Sequence, residues 1–312
     1  MNIIFGPVNS RRFGKSLGID LSPSKKQCNF DCLYCELAPA LTVDKQSETF
    51  QASEIIEHLQ ASLIEHPNTD VITLTANGEP TLYPHLDELI KGIDAIKKSK
   101  ETLILTNSAT LSSEQTCQSL LKLDQVKLSL DAVSLEVFKK IDRPHTDINL
   151  DKLIDSVIAF SKEFTGKLFI EILFVRGLND TKDEIKALNK VLKELQCQRI
   201  DLGTIDRPPA YPIEGLNYNE LFEISHQFDA ELPIHIASRK NIKTEPSPYT
   251  DEEIINTLDK RPLTKDDVAI LFDEVSIKRL ENLLENKEIS IKHIANLDFY
   301  MPSKNISRKK VK

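Results

Sequence analysis

Apolar and polar positions along the chain fall into two rhythms. From residue 17 to about 237, short runs rich in Val, Ile and Leu alternate with longer amphipathic stretches. The short runs are 17–21, 70–76, 102–107, 125–130, 168–175 and 199–205, with a shorter one at 233–237. They lack strict apolar–polar alternation, as expected for strands covered on both faces of a parallel sheet. Between them, 53–66, 85–98, 112–123, 135–141, 149–164, 182–195 and 217–228 repeat apolar residues at helical spacing. Thr110 or Ser112 is the expected cap of the third helix and Thr181 that of the sixth. This βα repeat predicts an α/β fold, a partial (β/α)6 TIM-like barrel short of the eight units of a closed one.

The rhythm changes near residue 240. The polar stretch 238–250 contains Pro246 and Pro248 and is expected to hold a linker at 241–250. Three short helices at 251–261, 264–272 and 276–287, then a hairpin at 289–301, predict a small winged-helix-like domain over 251–302. Its expected core is Ile254, Ile255, Leu258, Val268, Leu271, Leu280, Leu283, Leu284, Ile291 and Phe299. A basic tail, 303–312, closes the chain with Lys304, Arg308, Lys309, Lys310, Lys312 and no acid. It reads as a solvated end or as a polyanion contact.

Charge and composition narrow the function classes. The net charge of −8 argues against coating nucleic acid through a bulk field. No apolar run reaches the roughly 18–20 residues of a membrane helix, and the N-terminus has no signal-type apolar core. A cytoplasmic protein with no membrane partner is expected.

Five cysteines are an odd number for a disulfide framework. Cys117 and Cys197 stand alone and read as half-buried thiols. Cys28, Cys32 and Cys35 lie within eight residues. A structural zinc site takes four protein ligands, whereas a cubane [4Fe–4S] cluster bound by three thiolates keeps one iron open. That open corner favours a catalytic cluster. Zinc completed by a distant His, and three unliganded thiols, are the alternatives.

The triad, with Tyr34 before its third cysteine, resembles the radical S-adenosylmethionine superfamily. Asn77-Gly78-Glu79-Pro80 after the second apolar run is similar to that family's glycine-glycine-glutamate-proline motif, with Asn77 in place of the first glycine. Asn77 must then adopt positive φ, or the turn must take another shape. The opening Phe5-Gly6-Pro7-Val8-Asn9-Ser10-Arg11-Arg12-Phe13-Gly14 resembles the Fe–S oxidoreductase subgroup related to wyosine tRNA-base synthases, and the resemblance covers about residues 1–240. The second cysteine group of wyosine synthases proper is missing here, which sets this chain apart from them.

The resemblance implies that Cys28, Cys32 and Cys35 hold a [4Fe–4S] cluster whose open iron chelates S-adenosylmethionine. An electron from an external one-electron donor then cleaves the sulfonium to a 5′-deoxyadenosyl radical. It also implies cofactor contacts at Tyr34, Gly78, Glu79, Asn107, Ser129 and Asp131, with Gly78 letting backbone approach the methionyl group. Asn179 is a further strand-end candidate. Arg143-Pro144-His145 and Asp206-Arg207-Pro208-Pro209 are candidate substrate loops, where an Arg could hold an anion.

The substrate stays open. RNA or tRNA modification would use Lys278, Arg279 and Lys287 in a recognition helix, although Glu281, Glu285 and Glu288 break any basic stripe. An activase would place a radical on a partner protein. A non-catalytic, redox-sensing, nucleic-acid-binding regulator would have no need of a methionyl cradle.

Overall fold

The structure is a computed structural model and describes residues 3–10, 13–236, 246–260, 262–294 and 297–303. Arg11 and Arg12 of the opening motif, residues 241–245 of the expected linker and the basic tail from 304 onward lie outside the described residues. The chain divides into two compact units, one of Met1–Thr204 with Ala210–Ala237, the other of Ile205–Pro209 with Ser238–Lys312.

The first unit is built on one eight-stranded sheet in sequential order. β1 (Ile4–Ser10) pairs antiparallel with β2 (Gly14–Asp20). Parallel neighbours then follow: β3 (Val71–Thr75), β4 (Glu101–Thr106), β5 (Gln125–Ser129), β6 (Lys167–Phe174), β7 (Arg199–Thr204) and β8 (Ile234–Ile236). Helices α1 (Ala52–Glu65), α2 (Leu86–Ile96), α3 (Glu114–Leu120), α4 (Leu135–Ile141), α5 (Leu150–Glu163), α6 (Lys182–Leu192) and α7 (Tyr218–Ser225) fill the crossovers. The expected strands are all present. β1 is an addition, because its Gly6-Pro7 interruption hides the strand pattern. Ser113, not Thr110 or Ser112, caps α3 by accepting from Thr116 N, while Thr181 caps α6 as expected.

The two faces of the sheet differ in chemistry. One face buries Ile19, Ile72, Leu74, Ile104, Leu128, Ile170, Ile172 and Leu202 completely. The helices bury Ile55, Leu59, Leu89, Ile93, Val157 and Leu188 to the same degree, the apolar stripes that such crossovers turn to a sheet. Positions on the opposite, inward face carry Ser16, Thr73, Thr75, Lys127, Ser129, Glu171 and Asp201. The apolar runs are continuous because both faces are covered; most of their polar residues fall on the inward one, Thr102 and Thr106 on the other.

The second unit contains α8 (Asp251–Lys260), β9 (Leu263–Thr264), α9 (Lys265–Leu271), α10 (Glu274–Glu285), β10 (Ile289–Ile294) and β11 (Leu297–Pro302). Its antiparallel sheet runs β10–β11–β9. Ile254, Leu258, Val268, Leu271, Leu280 and Leu283 form the expected core, with Ile255 and Leu284 packed at its edge. Leu263, Phe272 and Ile289 join it. Ile291, expected inside, is 40% exposed.

Phe299 is fully buried in this small unit. Phe299→Ala should cost about 3–5 kcal/mol, read as a lower denaturant midpoint for the second unit with the first unit's transition unmoved.

Candidate functional site

The cysteine loop leaves the end of β2 and returns across the mouth of the sheet. Two short peptide segments fix its start. Gln27 N donates to Asn77 O (2.9 Å) and Glu79 N donates to Gln27 O (3.0 Å), so the residue before Cys28 pairs with the turn after β3. Gly78 sits between these bonds at φ +139°. A Cβ there would stand 1.9 Å from the Gln27 carbonyl oxygen. Glycine is thus required for the approach of the two backbones, and its close neighbour is Gln27.

Asn77 does not take positive φ; Gly78 alone carries it in this turn. The Asn77 side chain has a different use. Its backbone N donates to Asp20 Oδ1 and its Nδ2 to Asp20 Oδ2, both at 2.9 Å. Asp20, buried at the end of β2, also accepts from Ser22 N. The departure from the two-glycine motif is therefore matched by a carboxylate that binds it.

Glu79 is buried with all its oxygens engaged. Oε1 accepts from Thr81 N (3.0 Å), Thr81 Oγ1 (2.6 Å) and Thr106 Oγ1 (2.6 Å), and Oε2 accepts from Asn107 N (2.8 Å). Burial pushes the carboxyl above its ordinary value despite these bonds. The side chain caps the one-turn helix Pro80–Leu82 and ties it to β4. It positions the turn and leaves no carboxylate oxygen without a protein donor. Asn107 Nδ2 donates to Asn29 Oδ1 at 2.6 Å and lies 3.8 Å from Cys28 Sγ.

Asp131 likewise serves the protein. Oδ1 accepts from Leu173 N (2.6 Å) and Oδ2 from the Tyr34 hydroxyl. Within the protein its carboxylate anchors Tyr34. Burial pushes this carboxyl up to about 7, with Leu173 N and Tyr34 opposing the shift and Glu171 adding to it. Asn179, fully buried, bonds Asp131 O, Leu173 O and Val175 N. Ser129 differs. Among the described residues its hydroxyl has no hydrogen-bond partner, and it lines a small cavity with Phe30, Tyr34, Asn107, Asp131 and Asp142.

A second set of residues clamps the middle of the loop. Asp31, between Cys28 and Cys32, accepts from Lys26 Nζ (2.9 Å) and from the Tyr211 hydroxyl (2.5 Å). Arg143 Nη1 stands 3.3 Å from its Oδ2, and the guanidinium lies over the Tyr211 ring at 4.7 Å. Burial pushes the Asp31 carboxyl up, but Tyr211, Lys26 and Arg143 outweigh it and hold it below the ordinary value. The anion that Arg143 holds is thus the chain's own. Ala210 N donates to Cys35 O (2.8 Å), His145 N to Asn29 O (2.8 Å) and Leu33 N to Ile141 O (2.8 Å). The sequence reading missed Asp20, Asp31, Asp142 and Tyr211. Asp31 was visible inside the triad, and Asp142 beside Arg143-Pro144.

The three thiols are shielded and close enough to influence one another. Burial pushes Cys28 up to about 12, with Glu79 and Cys35 adding to it. It pushes Cys32, which lies 3.6 Å from Asp142 Oδ1, well above its ordinary value. Cys35 is raised too. Such thiols gain from a cation that discharges them. Among the described residues no set of three His, Cys, Asp or Glu side chains has the spacing of ligands to a single metal ion. A cubane gives each thiolate a different iron and so needs a wider spacing. Three soft donors on one half-buried loop fit that group. Cys117 and Cys197 are free, partly buried thiols.

Comparison with known proteins places the chain in a family. The family described as "Radical SAM superfamily" matches residues 23–191. A "UPF0026 protein" of Helicobacter pylori (strain J99) is 40% identical over 301 residues, covering 96% of this chain and 97% of the relative. Among solved structures, TYW1 with a lysine-pyruvate adduct superposes with a TM-score of 0.51 at 18% identity, over 70% of this chain and 74% of that one. Streptococcus suis SuiB bound to S-adenosylmethionine gives 0.53 at 18% identity, over 71% and 50%. At such identity the likeness is one of fold.

Gly78→Ala should destabilise the first unit by more than about 3 kcal/mol, through strain and collision with Gln27; calorimetry checks it. A second outcome concerns pH. The folded chain holds the Asp131 proton more tightly than the unfolded chain does. The stability from this group is therefore full below the ordinary carboxylate range and is lost as pH rises through about 7. Denaturant midpoints of Asp131→Asn should show a shallower fall from pH 5 to pH 8, as roughly that window brackets the transition.

Proposed function

The chain belongs to the radical SAM superfamily, whose cofactors are a [4Fe–4S] cluster and S-adenosylmethionine, and from that premise we propose that it is an enzyme of reductive S-adenosylmethionine cleavage. The observation that carries the reading is the triad itself, three half-buried thiols on a loop pinned at Gln27, Asp31 and Cys35. Cys28, Cys32 and Cys35 would hold the cluster. Bound there with S-adenosylmethionine, it would supply reductive cleavage of the sulfonium, the electron coming from an external donor. This organic chemistry belongs to the cofactors. The protein's share is to hold the loop rigid and to keep water from the thiols. Asp131 orients Tyr34, and Ser129 and the Asn107 side chain face the cavity where cofactor polar groups would lie.

The proposed division is a barrel at 1–240, a linker at 241–250, a winged-helix-like domain at 251–302 and a basic tail. The helix and strand order of the second unit supports the winged-helix reading. Use of α10 as a nucleic-acid recognition helix is weakened by Arg279, whose Nη1 donates to Tyr249 O at 2.6 Å within the unit.

Anaerobic reconstitution should give about four irons and four sulfides per chain, and the reduced protein should convert S-adenosylmethionine to 5′-deoxyadenosine and methionine. Cys28→Ala/Cys32→Ala/Cys35→Ala should lose both properties. A triple variant that kept its iron and sulfide would overturn the reading.

A further inference from the structure

The sulfur of Cys28 meets two N–H donors. Phe30 N donates to Cys28 Sγ at 3.4 Å, within the loop itself. Asn107 Nδ2, from the end of β4, stands 3.8 Å from the same sulfur, inside the longer reach of a hydrogen bond to sulfur.

The direction of the Asn107 amide is fixed from both sides. Its backbone N donates to Glu79 Oε2 at 2.8 Å, and its Oδ1 accepts from Ala109 N at 3.1 Å. The amino end is thereby turned to the cysteine loop, where it donates to Asn29 Oδ1 at 2.6 Å. Asn29 is buried beside Cys28. A side-chain amide carries two N–H donors. Tying β4 to the loop through Asn29 needs one of them. The other faces sulfur, so Asn107 keeps only acceptor capacity for the cavity it lines with Tyr34 and Ser129.

The charges around this sulfur give that second donor a use. Burial works against a charged Cys28 sulfur, and Glu79 and Cys35 add to the effect, while Phe30 N and Lys26 oppose it. Lys26 is already paired with Asp31. An iron–sulfur cluster that gains an electron gains negative charge, part of it on the cysteine sulfurs, and N–H groups aimed at those sulfurs favour the reduced form. A neutral amide supplies such a donor and brings no counter-charge that would need its own partner.

We infer that Asn107 is a positioning residue for electron uptake: its side-chain N–H donates to the Cys28 sulfur and raises the reduction potential of the cluster held there. The inference deepens the proposed function and rests on it for the presence of the cluster. Glu79 then has a second consequence besides shaping its own turn, because it holds the backbone from which this donor is aimed.

The test uses the reconstituted full chain without S-adenosylmethionine, and iron and sulfide are measured first in every preparation. Redox titration followed by electron paramagnetic resonance reads the midpoint. Asn107→Ala should be harder to reduce by roughly tenfold in equilibrium constant, about 59 mV for one electron. An unchanged or higher midpoint overturns the inference. A second measurement labels asparagine side-chain amide nitrogens isotopically. Electron–nuclear double resonance of the reduced wild-type cluster should show a weak coupling to labelled nitrogen. That coupling should persist in Asn29→Ala, where Ala109 N still orients Asn107, and vanish in Asn107→Ala. Its absence from the loaded wild type, its loss in Asn29→Ala or its survival in Asn107→Ala overturns the inference. If Asn107→Ala takes up no iron, the wild-type and Asn29→Ala spectra decide the matter by the same criteria. A wild-type chain that takes up no iron and sulfide overturns the proposed function and the inference together. A loaded wild type whose midpoint Asn107→Ala leaves unmoved overturns the inference alone.

Discussion

Two backbone hydrogen bonds between Gln27 and the Asn77–Glu79 turn set the geometry on which the site depends. They fasten the first residue of the cysteine loop to the end of the second parallel strand. Only a residue without Cβ permits the approach, and Gly78 is that residue. Around this contact four carboxylates act as fasteners. Asp20 holds Asn77, Glu79 holds its own turn and the end of β4, Asp131 holds Tyr34, and Asp31 gathers Lys26, Arg143 and Tyr211. Each side-chain bond of this kind contributes only about 1–3 kcal/mol. Their joint effect is to hold a loop that has no regular secondary structure of its own.

This arrangement divides labour between charge and softness. Carboxylates near the thiols raise the cost of forming thiolates, as Glu79 does for Cys28 and Asp142 for Cys32. A site meant for free reactive thiolates would show the opposite pattern, with cations beside sulfur. Among the described residues Lys26 is a cation that opposes the rise at Cys35 and Cys28, and it is committed to Asp31 at 2.9 Å. The loop therefore suits thiols that meet a metal, which supplies the compensating charge.

Much of the fold was legible because burial on both faces writes long apolar runs for strands and 3.6-residue stripes for helices. The cysteine spacing and Gly78 were legible because their chemistry has few substitutes. The protein contacts of Glu79, Asp131 and Arg143 were not. A strand-end carboxylate looks the same in sequence whether it faces a ligand or a backbone N–H. Only the fold brings Asp131 to Leu173 and Tyr34, or Arg143 to Asp31. β1 escaped because Gly6 and Pro7 break its pattern. The inward charges of β5, β6 and β7 were present in the apolar runs, but which face they take depends on the register.

The account stands or falls on an iron left without a side-chain ligand and open to the methionyl group. Pulsed electron–nuclear double resonance on the reduced, reconstituted protein with isotopically labelled S-adenosylmethionine addresses that directly. Hyperfine coupling from the labelled amino nitrogen and carboxylate to the cluster is the predicted result. A saturated binding isotherm with no such coupling would contradict it.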